Sequence, residues 1–184
     1  MAASAPWLGE GAIAGMLGGA VYGLYEAFAL RPRGMGRWGH MNAIGATLPW
    51  YRPVQDDFRW GPSGTGIVLH AMTSAIGGAA YGTLLGTYDP AHARSLGREA
   101  LTGLGWGAAF WATWGLLIGP SLDPAMLKTM ARDRNFFLGH LIYGTITGLV
   151  LASLLRRRAR GASRDRREPA GVKVTAVRVQ AQRT

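Results

Sequence analysis

The chain has 184 residues, of which 48% are hydrophobic and only 16% are charged, and its formal net charge is +10. So few charges give too little polar surface for a soluble domain of this size, and the absence of cysteine excludes disulfides, thiolate metal sites and thiol nucleophiles. The positive charge does not point to nucleic acid, because half of the 20 Lys and Arg residues follow Leu155.

Four windows with almost no charge follow one another along the chain. Each has about 20 residues or more, the length that an α-helix needs to cross a hydrocarbon core of ~30 Å. We therefore predict an all-α fold, an integral membrane bundle of four transmembrane helices within residues 1–158. The first window is predicted to be a retained helix, because the start of the chain lacks the basic segment of a signal peptide. The predicted spans are 11–30, 64–87, 100–121 and 136–155.

The connection between the first two spans contains the sequence WGHMNAIGATLPWY at residues 38–51. We expect it to form a short helix in the membrane interface, where Trp and Tyr are common. His40 and Met41, together with methionines of the neighbouring loops, give a weak indication of copper, because they do not repeat at a fixed spacing. Those methionines are Met35, Met126 and Met130.

Arginines follow the fourth span directly. By the positive-inside rule, Arg156, Arg157 and Arg158 predict a cytoplasmic membrane-surface anchor that attracts anionic lipid headgroups. Residues 159–184 are predicted to be a basic, disordered cytoplasmic tail. With four spans, both termini then face the cytoplasm, and the loops 31–60 and 123–134 face outward.

Small residues recur every four positions in all four windows. Residues four apart share one face of a helix, and stripes of small residues let two backbones approach closely inside a bilayer. The sequence thus predicts a compact bundle with tight helix contacts. The glycines predicted to pack the helices are Gly15, Gly19, Gly23, Gly78, Gly82, Gly107, Gly144 and Gly148.

Three ionisable residues fall on three different windows. His70 and His140 lie on the small-residue stripes, and Glu26 follows Gly23 by three positions. Because the second and fourth spans run in the same direction, we predict a polar intramembrane cluster of Glu26, His70 and His140 near the outer surface.

The chemistry of this cluster stays open at this point. Interhelical hydrogen bonds that fix the helix register are favoured, because no strict ligand spacing is present and no cofactor is therefore expected. A proton sensor or relay is a second interpretation. A third is a zinc or other transition-metal site, or a haem b held through His70 and His140.

Four segments resemble a known family. They are GAIAGMLGGAVYGLYEAFALRPR, IVLHAMTSAIGG, GLLIGPSLDP and FFLGHLIYG. In order and spacing, over about residues 11–158, the chain resembles the bacterial YagU-like inner-membrane proteins. It departs from them at Arg31, Pro32 and Arg33, where the family has a double proline before an arginine, and at Trp114 and Gly115, where a His-Gly pair is expected.

The resemblance implies a small bacterial inner-membrane protein that self-associates and is linked to acid tolerance. The resemblance assigns no catalysis to the chain. It also implies that Glu26, His70 and His140 match polar positions of the family. We therefore expect a structural or stress-response membrane component, not an enzyme, that does not bind nucleic acid. The alternative is an accessory subunit of a larger membrane complex that holds haem or a metal through His70 and His140.

Overall fold

The structure is a computed structural model that describes residues 5–28, 36–88, 95–122 and 132–165. These residues form α1 (Ala5–Phe28), α2 (Gly39–Gly45), α3 (Trp60–Tyr88), α4 (Leu96–Trp111), α5 (Gly119–Leu122) and α6 (Arg134–Asp165). A 3-10 turn at Pro49–Tyr51 follows α2, and a π-helical segment at Ala112–Ile118 joins α4 to α5. No β-strand occurs in these ranges, which confirms the all-α prediction.

Three of the helices are long and apolar enough, by length and composition, to cross a membrane. The qualifying segments are Trp60–Thr87, Leu96–Ile118 and Arg134–Ser163, which overlap the second, third and fourth predicted spans. The first predicted span is not among them, because the many glycines of α1 and its glutamates Glu10 and Glu26 lower its mean hydropathy. The structure thus supports three membrane-crossing helices where the sequence predicted four.

Helix α1 packs against both α3 and α6. Helix α4 packs against α6, and α2 packs against α3. Gly11 of α1 lies against Gly78 of α3, and Glu10 of α1 pairs with Arg158 of α6, so α1 is antiparallel to both neighbours. It follows that α3 and α6 are parallel and that α3 begins at the same end of the bundle as α6. We call this end the α2 end, because α2 lies there.

Two seams of glycine hold the helices in pairs. In the α1–α3 seam, a Cβ atom added at Gly15 or Gly78 would strike the backbone of the other helix. In the α4–α6 seam, Gly107 faces the carbonyl group of His140, and Gly144 faces the backbone of Gly103 and Gly107. Because a side chain at these positions would collide with main chain, only glycine permits such close contact.

The remaining glycines of the predicted stripes also lie at helix contacts. Gly82 faces the backbone of Trp7, and Gly148 faces the backbone carbonyl group of Glu99. Gly19 lies against the side chain of Ser74. Gly23 differs, since a Cβ there would meet the end of the Met41 side chain at 3.3 Å and no backbone.

The last helix differs from its prediction. Helix α6 does not end near Leu155 but continues through Arg156, Arg157 and Arg158 to Asp165. The segment 159–165, predicted to be disordered, is therefore helical. The rest of the predicted tail, residues 166–184, lies outside the described residues, as do Met35, Met126, Met130 and the segment 31–33.

Candidate functional site

The short helix predicted within residues 38–51 forms as α2, and most of its residues are buried against the rest of the bundle. Asn42, which is 1% exposed, donates hydrogen bonds through Nδ2 to the carbonyl oxygens of Gln55 (2.6 Å) and Asp57 (2.8 Å). Its Oδ1 accepts a hydrogen bond of 2.6 Å from the hydroxyl group of Ser63 at the start of α3. One amide side chain thereby ties α2 to the following loop and to α3.

Close backbone contact reinforces this attachment. A Cβ at Gly45 would strike the carbonyl group of Pro62, and one at Gly66 would strike that of Met41. The buried face of α2 consists of Gly39, His40, Asn42, Ala43 and Gly45, so small residues leave room for one large polar side chain. That side chain is His40, which α2 turns into the bundle.

His40 meets the buried carboxylate of Glu26. Nδ1 of His40 and Oε2 of Glu26 form an ion-pair contact, and the two residues are 5% and 3% exposed. Tyr22, one turn before Glu26 on α1, packs its ring edge-on against the ring of His40. A buried charge needs such partners, because a lone carboxylate away from water is strongly unfavourable.

The ring of Tyr22 lies at the centre of three imidazoles. Its centroid is 5.8 Å from that of His40, 5.6 Å from that of His70 and 4.9 Å from that of His140. The structure thus brings the predicted residues Glu26, His70 and His140 to one place. It adds two residues that the sequence analysis did not assign to the cluster, His40 and Tyr22.

Backbone carbonyl groups fix the two imidazoles of the long helices. Nε2 of His70 donates to the carbonyl oxygen of Gly19 at 2.9 Å, and Nδ1 of His140 donates to that of Phe136 at 2.9 Å. A carbonyl oxygen can only accept, so the bonded nitrogen carries the proton in each ring. A side chain at Gly19 would collide with Ser74, the residue one turn after His70 on α3.

A cavity of about 110 Å³ opens beside these imidazoles. The described contacts between α3 and α4 lie away from the α2 end. In these contacts, Tyr81 hydrogen-bonds Thr102 at 2.9 Å and Gly77 faces the ring of Phe110. Nearer the α2 end, both helices instead line the cavity. The lining residues come from α1 to α6 and include Tyr22, His40, Ile44, Thr47, His70, Thr73, Ser74, Phe110, Trp114, Gly115, Gly119, Phe136, His140 and Tyr143.

The π-helical segment shapes one wall of this cavity. It spans Ala112–Ile118 and carries Trp114 and Gly115, which both line the cavity. Single π turns inside α-helices are often found at functional sites, since the extra residue redirects side chains. Trp106 and Trp111 pack against the core, whereas Trp114 faces the cavity.

Neither predicted metal chemistry finds a formed site in the described ranges. No group of three His, Asp or Glu side chains there is arranged to hold a metal ion. For haem, the ring of Tyr22 lies against both His70 and His140, in space that a porphyrin between them would need. The arrangement instead combines a carboxylate, three imidazoles and a small cavity, which suits proton binding and hydrogen bonding.

Two residues, His40 and Glu99, were not predicted from the sequence to be buried in the bundle, for different reasons. His40 lies outside the charge-free windows, although the small residues around it at positions 39, 43 and 45 indicate a packed helix face. Glu99, which is 3% exposed, immediately precedes the third window and packs through its backbone against Gly148 of α6. It lies far from the histidine cluster, near the opposite end of the bundle.

Comparisons with protein-family models, with curated proteins and with solved structures find no match to this chain. The resemblance to the YagU-like proteins therefore stays a prediction.

Proposed function

We propose that this chain is a multi-pass protein of a bacterial inner membrane that responds to acid at its outer surface and catalyses no reaction. The observation that carries the proposal is the buried contact between Glu26 and His40, with two further imidazoles at the same depth. Imidazole is the side-chain group whose ordinary charge change lies between about pH 5 and 8, so the histidine-rich end of the bundle is the part suited to an acid response.

In this proposal, α1 crosses the membrane together with the other three apolar segments, which gives four spans. Its 24 residues extend about 36 Å, enough for a hydrocarbon core of ~30 Å. The face opposite its glycine stripe is apolar and exposed, since Ile13, Leu17, Val21 and Leu24 are between 40 and 60% exposed. Such a face suits lipid, and it runs along the helix beside the three longer apolar segments.

The basic end of α6 supports an orientation with both termini in the cytoplasm. Arg156, Arg157 and Arg158 continue the helix beyond its apolar part and bring positive charge to the end opposite α2. Arg158 bonds Glu10 at 2.7 Å but is 60% exposed, so it also reaches anionic headgroups. The α2 end then faces outward. Self-association within the membrane belongs to the same proposal, through the exposed apolar faces.

Acid changes the charge balance of the cluster. The carboxylate of Glu26 (α1) contacts His40 (α2), with His70 (α3) and His140 (α6) as further imidazoles and Tyr22 and Tyr143 as phenols. Positive charges gained in acid on imidazoles about 6 Å apart would repel each other in a poorly solvated site. Because α2 is the shortest of the helices that carry these groups, it is the part that moves.

A single cysteine placed two residues after the end of α2 tests the acid response, because the natural chain has none. In Thr47→Cys, which changes a half-buried cavity residue, labelling by a maleimide should speed up several-fold between about pH 7.5 and about pH 5, the range in which histidine titrates. The rate is divided by that of Trp50→Cys, an exposed position in the same loop, which cancels the pH dependence of the thiol itself.

The variant Glu26→Gln supplies the matched control. It removes the charge that holds His40, so labelling of Thr47→Cys should already be fast near neutral pH. A labelling ratio that does not change with acid in the natural background contradicts the proposed response.

A further inference from the structure

The two histidines that line the cavity, His70 and His140, are available to it as hydrogen-bond acceptors, because their N–H groups are already bonded elsewhere. The N–H group of His70 donates to the carbonyl oxygen of Gly19, and that of His140 donates to the carbonyl oxygen of Phe136. In the neutral form, the second nitrogen of each ring therefore carries a lone pair. Neither Nδ1 of His70 nor Nε2 of His140 has a hydrogen-bond partner within the described residues.

The hydroxyl groups of the wall behave in the same way. Thr47 donates to the carbonyl oxygen of Ile44 at 2.8 Å, and Thr73 donates to that of Leu69 at 2.9 Å. Each of these oxygens keeps lone pairs but has no further hydrogen to give. A guest that donates hydrogen bonds can use the lone pairs of these two oxygens and of the two imidazoles.

Aromatic faces and a carboxylate add a preference for positive charge. Phe110, Trp114 and Phe136 line the cavity, and the faces of such rings attract cations within about 6 Å. The carboxylate of Glu26 lies directly behind His40, itself a lining residue.

We propose that the cavity is a binding site for a small ammonium-type cation, ammonium itself or a short primary alkylammonium ion. Its N–H groups donate to Nδ1 of His70 and Nε2 of His140 while Trp114 and Phe110 cover its charge. The volume of about 110 Å³ suits such an ion, since an apolar cavity of about 150 Å³ is known to hold benzene. This site requires the histidine geometry but not the acid response proposed above.

Ion selectivity of the purified protein tests the proposal. Binding of ammonium chloride and methylammonium chloride is measured by calorimetry in detergent at about pH 8, above the usual histidine pKa of about 6.5. Potassium chloride is the control, because potassium resembles ammonium in charge and size but has no N–H group. We expect ammonium and methylammonium to bind about ten-fold tighter than potassium or more, through charge-assisted hydrogen bonds.

Variants assign the binding to the cavity. His140→Phe keeps an aromatic ring but removes the acceptor, and it should weaken ammonium binding about ten-fold, the usual effect of one lost bond to a charged group. Trp114→Leu should weaken it less. Thr113→Ala, which alters an exposed residue on the same π-helical segment, should leave it unchanged.

Equal binding of ammonium and potassium by the natural protein overturns the proposal, whether or not the variants fold. So does ammonium binding that survives in folded His140→Phe. Selective ammonium binding in a protein whose Thr47→Cys labelling does not respond to acid supports the cation site and rejects only the acid response.

Discussion

Asn42 holds the polar cluster together although it does not belong to it. Its amide uses both donors and its acceptor on groups from the loop and from α3, and the residue is buried. The position of His40, two residues earlier on α2, depends on this attachment. A second polar residue on the same short helix thus decides whether the imidazole can reach Glu26.

We expect Asn42→Ala to lower the free energy of unfolding by about 2–4 kcal/mol, because it leaves two backbone carbonyl groups and a hydroxyl group without their partner. Unfolding in detergent followed by circular dichroism measures the loss. Ser153→Ala is the control, since its exposed hydroxyl group bonds only to Leu149 of its own helix. Equal stability of the two variants would show that α2 does not depend on Asn42.

The sequence could place three members of the cluster but not His40. Glu26, His70 and His140 follow from helix periodicity, because a stripe of small residues marks the face that meets another helix. His40 reaches them through a loop that folds back over the bundle and is fixed by contacts between residues 13 to 21 positions apart. No short-range pattern specifies such contacts, so the position of His40 could not be predicted.

Glycine seams give the pairs α1–α3 and α4–α6 their close spacing. At most positions along both seams, a glycine faces backbone atoms of the opposite helix, whereas Gly19 faces the side chain of Ser74. Not every glycine of a helix serves this purpose. On α4, Gly107 faces His140, whereas a Cβ at Gly105 would meet nothing within 4 Å.

This contrast gives a paired prediction on one helix. Gly105→Ala should be neutral or stabilise by up to about 1 kcal/mol, because alanine favours the helix over glycine. Gly107→Ala should destabilise by about 1–3 kcal/mol, because its methyl group collides with the main chain of α6. Unfolding free energies of both variants in the same detergent provide the measurement. A Gly107→Ala variant as stable as Gly105→Ala would mean that α4 and α6 are further apart than described.

Helix positions could be predicted well from the charge-free windows, and helix ends less well. The apolar windows locate the bilayer part of each helix, but a helix can continue in water where its residues favour it. Arginine has a high helix propensity, which explains why α6 runs on past Leu155. The apolar character of α1 is borderline because glycine, needed for its seams, adds little hydrophobicity.

Surface labelling can determine the orientation of the whole molecule in the membrane. Single cysteines at Gly9, Trp50 and Ser163 lie at exposed positions in α1, after α2 and near the end of α6. In intact spheroplasts, an impermeant maleimide should label Trp50→Cys only, and lysis should expose Gly9→Cys and Ser163→Cys. Labelling of Gly9→Cys from outside would show that α1 does not cross the membrane.

The glycine seams also decide which compartment the cavity can communicate with. Below the histidines, the interior is filled by Ala14, Tyr81 and Leu151, and the seams leave no gap between the paired backbones. Within the described residues, these side chains separate the cavity from the opposite end of the bundle. Under the proposed function, such an arrangement would sample the composition of one side of the membrane, as a receptor does.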